Sequence, residues 1–376
     1  MFKRIYVDNY KCLVNFELSV GGLNLFLGPN GAGKSAVFEV LRMLLDFVGG
    51  ASRVAGLFNF EDRTRWQSSP IQTFELDVEH GEGTYRYELA IEHRQEGLKA
   101  QVKRERLWFN DRPLLEFEDG NVQLYRDDHS KGPAYPFDWS QSAVASVFPR
   151  HDDTLLAWFK ERLKRFVIIQ IIPVLMSKDS SQEESHPSPH LENYVSWYRH
   201  LSQNQGLAYQ LTNDLRAIIP EFDYFKFEPV GEQQRLLRVY FRGADGQAPI
   251  GYRFSELSDG QRTLIALYTL LRAARADEEY PYTLCLDEPE NFLALPEIQP
   301  WLVTLYDLCT DGEMQALLIS HHPELINYLL ASPVGYWFDR QGNTPARVKP
   351  IAAGDGGGFP VSELIARGWL LDDSPS

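Results

Sequence analysis

The chain has 376 residues, 44% apolar and 13% aromatic, and its 37 Lys+Arg against 52 Asp+Glu leave a net charge of −15 at pH 7. At about 100–200 residues per domain this allows two or three domains or one elaborated one, and the acidity excludes a surface coated in phosphate-binding charge, so any nucleic-acid contact must be a local basic patch. The longest apolar run, Phe166 to Met176, carries Gln170 and Pro173 inside it and falls well short of the ~20 apolar residues of a membrane helix, so no membrane partner is expected.

The N-terminus, MFKRIYVDNYKC, turns polar by Asp8 without building a secretory signal, which implies a cytoplasmic protein. Cys12, Cys285 and Cys309 are widely spaced with no CxxC pair, so they read as reduced, buried thiols rather than a disulfide framework or zinc site. In chain order, Lys3 to Val7, Asn15 to Val20 and Leu23 to Leu27 are β-type segments, the last running straight into a glycine-rich turn. From Lys34 to Phe47 apolar residues recur at helical spacing until Gly49-Gly50. Three alternating segments follow, Phe74 to Glu79, Thr84 to Glu92 and Leu98 to Trp108, as expected of an antiparallel meander. Residues 119–140 read as loop; Thr154 to Ile172 reads as helix ended by Pro173. Ser177 to His190 has almost no apolar content and reads as a mobile excursion. Leu191 to Ile219 looks helical, Phe222 to Phe241 looks like two strands, and the last third alternates strand and helix.

Four places carry chemistry. Gly28-Pro29-Asn30-Gly31-Ala32-Gly33-Lys34-Ser35 satisfies GxxxxGK[ST] between a strand and a helix, the context in which such a loop cradles phosphates with its N–H groups and a helix N-terminus. Lys34 is expected to reach the β- and γ-phosphates of ATP and Ser35 to ligate Mg2+. The apolar strand Tyr282 to Leu286 ends in Asp287-Glu288, the end where ligands of open α/β sheets sit; Asp287 would hold the Mg2+ shell and Glu288 would activate the attacking water. A second short strand, Ala316 to Ser320, ends at His321-His322, and His321 would link the γ-phosphate to Glu288. Ahead of the helix Leu264 to Leu271, Ser258 and the Gly260 amide sit at a helix N-terminus, a ready anion site, the plain alternative being a simple cap with Ser258 as N-cap.

Leu257-Ser258-Asp259-Gly260-Gln261 resembles the ABC signature LSGGQ with Asp259 at the middle position. In order, GPNGAGKS, LSDGQ, LCLDEPEN and ISHHPE look like the phosphate loop, signature, acidic strand and switch histidine of an ABC-type ATPase of the RecF- and SMC-like branch, and resemble in particular compact ATPases related to the OLD-type nucleases. The resemblance implies an α/β fold, an ABC-type P-loop head with a mixed sheet, an antiparallel β arm from about residue 71 and a helical insertion around 150–220, without a long coiled coil. It divides the chain into an ATP-binding half at 1–150, an insertion with return strands at 151–250, and a half carrying signature, acidic strand and histidine at 251–376. It also implies ATP and Mg2+ as cofactors and a homodimer in which Ser258, Gly260 and Gln261 of one subunit close on the nucleotide held by the loop of the other. Gln141 and Gln170 are candidates for the glutamine loop, each also read as an ordinary surface or core residue.

Only 55 residues follow His321, too few for an appended nuclease domain, so the expected function is a nucleic-acid-associated motor or switch, in genome maintenance or phage defence, acting with a separate effector or nuclease. A slowly hydrolysing scaffold that holds an effector inactive is the alternative; a transporter cassette is disfavoured by the long interval between Ser35 and Ser258. Double-stranded DNA is a possible partner through Lys99, Lys103, Arg104 and Arg106 or Lys160, Arg162, Lys164 and Arg165, although interleaved Glu105 and Glu161 favour salt-bridged faces.

Overall fold

The computed structural model describes residues 1–363 except 82, 95–98, 149–152, 244–246, 276–280, 330–333 and 352–361. Two compact units emerge, Met1–Phe166 with Asn327–Ser376, and Val167–Ile326. Together they make a mixed α/β fold with several sheets.

In the first unit, β1 (Phe2–Asp8), β2 (Phe16–Ser19), β4 (Ile71–His80), β5 (Gly83–Arg94), β6 (Lys99–Phe109), β7 (Arg112–Glu118), β8 (Asn121–Tyr125) and β9 (Lys131–Pro136) form one antiparallel sheet in the order β2-β1-β4-β5-β6-β7-β8-β9. Period-two alternation sends Ile5, Val7, Phe74, Leu76, Val78, Tyr85, Tyr87 and Leu89 inward. On the other face Arg4 bonds Asp77 at 2.8 Å and Glu17 at 3.0 Å and also pairs with Glu75, tying three strands together. The 119–140 stretch is not a plain loop: Val122 is fully buried in β8, and β9, with Pro133 and Pro136, is the edge strand where the missing N–H groups cost no internal ladder bond.

The same unit holds β3 (Leu23–Leu27), buried at every position, with β17 (Val334–Asp339) parallel to it and β18 (Arg347–Ile351) antiparallel to β17. Helix α1 (Lys34–Val48) follows β3 and buries Val37, Val40, Leu41, Leu44 and Val48, the residues whose spacing announces it. Short helices α2 (Val54–Leu57) and α3 (Ala143–Ser146) precede α4 (Thr154–Leu163). The fully buried Glu105 carboxylate accepts from Tyr87 Oη at 2.9 Å, Ser142 Oγ at 2.6 Å and the Ala143 amide at 2.6 Å, fixing the start of α3 to the sheet.

Helix α4 stops at Leu163 rather than running to Ile172, because Phe166–Gln170 is strand β10. Val167, Ile168 and Ile169 are consecutive β-branched residues, which favour a strand over a helix. In the second unit β10 neighbours β15 (Tyr282–Asp287), which runs parallel to the wholly buried β16 (Met314–Ile319). Helices α7 (Asp259–Arg275) and α8 (Leu295–Thr310) are joined by the bond from Trp301 Nε1 to Leu267 O, 3.0 Å. A smaller antiparallel sheet has the order β11 (Asp179–Ser180), β13 (Gln234–Phe241), β12 (Phe222–Val230), with β14 (Ile250–Arg253) also on β13.

The helical reading of 191–219 resolves into α5 (Tyr194–Leu201) and α6 (Gln205–Ile218), separated where Asn204 Oδ1 caps α6 by accepting from the Leu207 amide at 3.1 Å. The apolar-poor segment 177–190 contributes β11, and Asn193 Nδ2 donates to Glu184 at 2.6 Å and to the His186 carbonyl at 2.9 Å. Polar side chains, not apolar burial, organise it. Helix α9 (Pro323–Leu329) leads the chain back to β17.

Candidate active site

The phosphate-loop candidate begins where β3 ends. Gly28, Gly31 and Gly33 have φ of +138°, +79° and +106°, values that L side chains rarely adopt. At Gly28 a Cβ would lie 2.2 Å from the Phe338 carbonyl oxygen, so glycine is required twice over. Gly33 is the left-handed N-cap of α1, closely backed by Cys12 and Ala346. Pro29, Asn30 and Gly31 are exposed at the tip, Ala32 is buried, and the Ala32 amide donates to Pro29 O at 3.2 Å. Lys34 is buried, yet its ammonium folds over the loop, donating to Gly28 O at 2.7 Å and Pro29 O at 3.1 Å. Carbonyls are weaker acceptors for a cation than the charged oxygens of a polyphosphate would be. Ser35, in the first turn of α1, is exposed. Beside the tip, Arg340 donates to Gly31 O at 3.2 Å and lies over the Trp66 ring, a pairing that chain order alone does not suggest because the residues are so far apart in sequence.

In the second unit, Asp287 closes β15 and Glu288 takes the next position with φ of +50°, a left-handed conformation unusual for a non-glycine residue. The Glu288 amide donates to Ile319 O at 2.9 Å, and Asn291 Nδ2 donates to its carboxylate at 2.7 Å. His321, just past β16, brings Nε2 to 3.8 Å from Glu288 Oε1. The pair expected at adjacent strand ends is therefore assembled. Glu290 is buried; its Oε1 accepts from Ser320 Oγ at 2.5 Å and the His321 amide at 3.3 Å, and burial pushes its carboxyl above the usual range, with the Glu288 charge acting in the same direction. The Asp287 carboxylate is a hard oxygen donor of the kind Mg2+ takes, and so, within its own unit, is the Ser35 hydroxyl.

Ser258 and Gln261 form a reciprocal cap at the start of α7: the Gln261 amide donates to Ser258 Oγ at 3.2 Å, and the Ser258 amide donates to Gln261 Oε1 at 3.1 Å. The simple-cap reading of these residues thus describes their local geometry. Gly260 abuts the acidic turn, since a Cβ there would come within 2.8 Å of Phe292 O. Arg262 pairs with Asp259 at 2.6 Å, so the residue that departs from the signature pattern has a local ionic partner.

Gln141 bonds Asp138 at the surface, whereas Gln170 ends β10, the strand beside β15. Arg104 pairs with Glu88, Arg106 with Glu118 at 2.8 Å and Lys164 with Glu161 at 2.5 Å. Arg162 is fully buried over the Phe166 ring, and Lys160 Nζ donates to Ala145 O and Val147 O. Tyr194 and Trp197 are buried in the core, and the three cysteines are buried and free. Among the described residues no helix is long and apolar enough to cross a membrane.

A curated relative, the OLD nuclease of Thermus scotoductus, is 40% identical over 45 residues, a match spanning 12% of this chain and 8% of that protein. Among solved structures, the SMC head domain from Thermotoga maritima is 14% identical at TM-score 0.43, covering 93% of this chain and 98% of that one. The recombination mediator protein RecF-ATPrS of the RecFOR pathway is 13% identical at TM-score 0.47, covering 94% of this chain and 98% of that one. A family model matches residues 23–327, and the chain belongs to the family it describes, "AAA domain, putative AbiEii toxin, Type IV TA system".

Proposed function

We propose that this protein hydrolyses ATP with Mg2+ as a head-to-head dimer and works as a nucleic-acid-associated switch or motor with a separate effector or nuclease. The observation that carries the reading is the loop Gly28 to Ser35, whose three left-handed glycines and buried, carbonyl-held Lys34 suit a polyphosphate cradle. Membership of the AAA family supports a nucleotide as ligand. In this reading Lys34 takes the β- and γ-phosphates, while Ser35 and Asp287 are the Mg2+ ligands. When bound, the metal would offset phosphate charge. Glu288 takes the proton of the attacking water, and His321 holds the acid in place and senses the γ-phosphate. Gln170, at the end of β10, is the better candidate for the glutamine loop because its strand neighbours the acidic one. Ser258, Gly260 and Gln261 contribute from the partner subunit, the Ser258 hydroxyl turning its donated bond from Gln261 Oε1, 3.3 Å away, to a phosphate oxygen.

Binding of a fluorescent ATP analogue with Mg2+ tests the foundation. Wild-type protein is expected to bind saturably, and Lys34→Ala to bind about 10- to 100-fold more weakly, as loss of a charge-assisted contact implies. Equal affinity in a variant with unchanged melting temperature would remove the phosphate-cradle assignment.

A further inference from the structure

Beyond Glu288 and His321, the second unit contains a carboxyl for which the proposed reaction has no chemical role. Glu290 lies in the turn after β15 and reaches the end of β16, where Oε1 accepts from both Ser320 Oγ and the His321 amide. Its Oε2 is also buried and has no hydrogen-bond partner among the described residues. An orphaned buried acceptor costs about 1–3 kcal/mol. The neighbouring contacts are all devoted to the same geometry. Glu288 is fixed through its amide to Ile319 and through its carboxylate to Asn291, while Leu293 N donates to Glu290 O at 3.0 Å and closes the turn.

We propose that Glu290 is a positioning residue: by gripping Ser320 and the His321 main chain, it sets the 3.8 Å separation of His321 from Glu288 and so the alignment of the acid with its water. The β15–β16 ladder ends at Asp287↔Ile319. Past that point the Glu290 side chain is a second tie between the two functional segments, alongside the Glu288 amide bond to Ile319. The inference rests on Glu288 being the base of ATP hydrolysis.

The test compares steady-state ATP turnover, nucleotide-analogue affinity and thermal unfolding for wild type, Glu290→Ala, Glu290→Gln and Ser320→Ala. Glu290→Ala is expected to lower kcat on the order of 10- to 100-fold, the effect of about 1 Å of misplacement, with analogue affinity within twofold of wild type. Glu290→Gln keeps an acceptor at Oε1 and should recover most of kcat. Should Glu290→Ala fail to fold, Ser320→Ala removes one donor to Oε1 while leaving the carboxyl, and is expected to lower kcat without changing affinity. A melting-temperature loss with unchanged kcat in Glu290→Ala, or in Ser320→Ala where the former does not fold, overturns the inference and leaves a structural role. Absence of turnover in wild-type protein that binds the analogue instead overturns the ATPase reading on which it rests.

Discussion

Replacing Gly28 and Gly31 separately by alanine distinguishes two reasons for a glycine within one loop. Gly31 has φ of +79° with nothing within 4 Å of its would-be Cβ, so Gly31→Ala incurs only the left-handed penalty, about 1–2 kcal/mol. At Gly28 φ is +138° and the added carbon would sit 2.2 Å from Phe338 O and 3.1 Å from the Phe338 carbonyl carbon. That carbonyl belongs to β17, whose parallel ladder with β3 includes Trp337↔Leu27 one residue away. The obstacle is backbone and cannot swing aside as a side-chain tip would. Overpacking of this kind adds about 1–3 kcal/mol, giving about 2–5 kcal/mol in all for Gly28→Ala. Urea unfolding at constant m reads the difference as a lower midpoint for Gly28→Ala than for Gly31→Ala. Equal midpoints would refute the steric argument and with it the claim that β17 presses on the loop.

Acid stability should depend on His93, whose Nε2 donates to Gln72 Oε1 at 2.8 Å because Gln72 Nε2 is itself engaged with Asn9 O, leaving buried Nδ1 without a partner among the described residues. Burial, then the Arg63 charge, lowers its pKa from 6.5 to about 4. The unfolded chain therefore takes up this proton first. The contribution is full above pH 6.5 and is lost as pH falls toward 4, amounting to about 3 kcal/mol; His93→Gln should flatten unfolding free energy against pH in that window, and an unchanged slope would count against the assignment. Ser258→Arg is expected to leave nucleotide affinity within about twofold and to abolish any rise of turnover per subunit with protein concentration. Wild-type kinetics in that variant would sink the composite-site proposal.

The elements that hold the candidate residues could be read from the sequence because they are local. A glycine loop between strand and helix, acids at a strand end and a serine three residues before a glutamine each announce themselves within ten residues. The α1 periodicity and the β4–β6 alternation were legible for the same reason. What escaped depends on contacts distant in sequence. FVIIQ reads as a continuation of the α4 pattern until β15 is placed beside it. Strand β8 is only five residues long, and β9 has just Ala134 and Tyr135 among Lys, Gly and two Pro, so these outer strands of the sheet do not stand out. Arg162 looks like one of four surface cations on a helix, yet it is fully buried over Phe166. Arg340 meets Gly31 across most of the chain's length, and no spacing rule links a loop to a residue that arrives just past a later strand.

ATP turnover by purified protein across a concentration series, with Mg2+, with and without linear double-stranded DNA, and with Glu288→Gln as the blank, tests the central claim most directly. The expected result is turnover per subunit that rises with concentration and with DNA, and a kcat about 10²- to 10⁴-fold lower in Glu288→Gln, the scale of a lost general base. Turnover that persists undiminished in Glu288→Gln, or that is absent from wild-type protein under all these conditions, would contradict it.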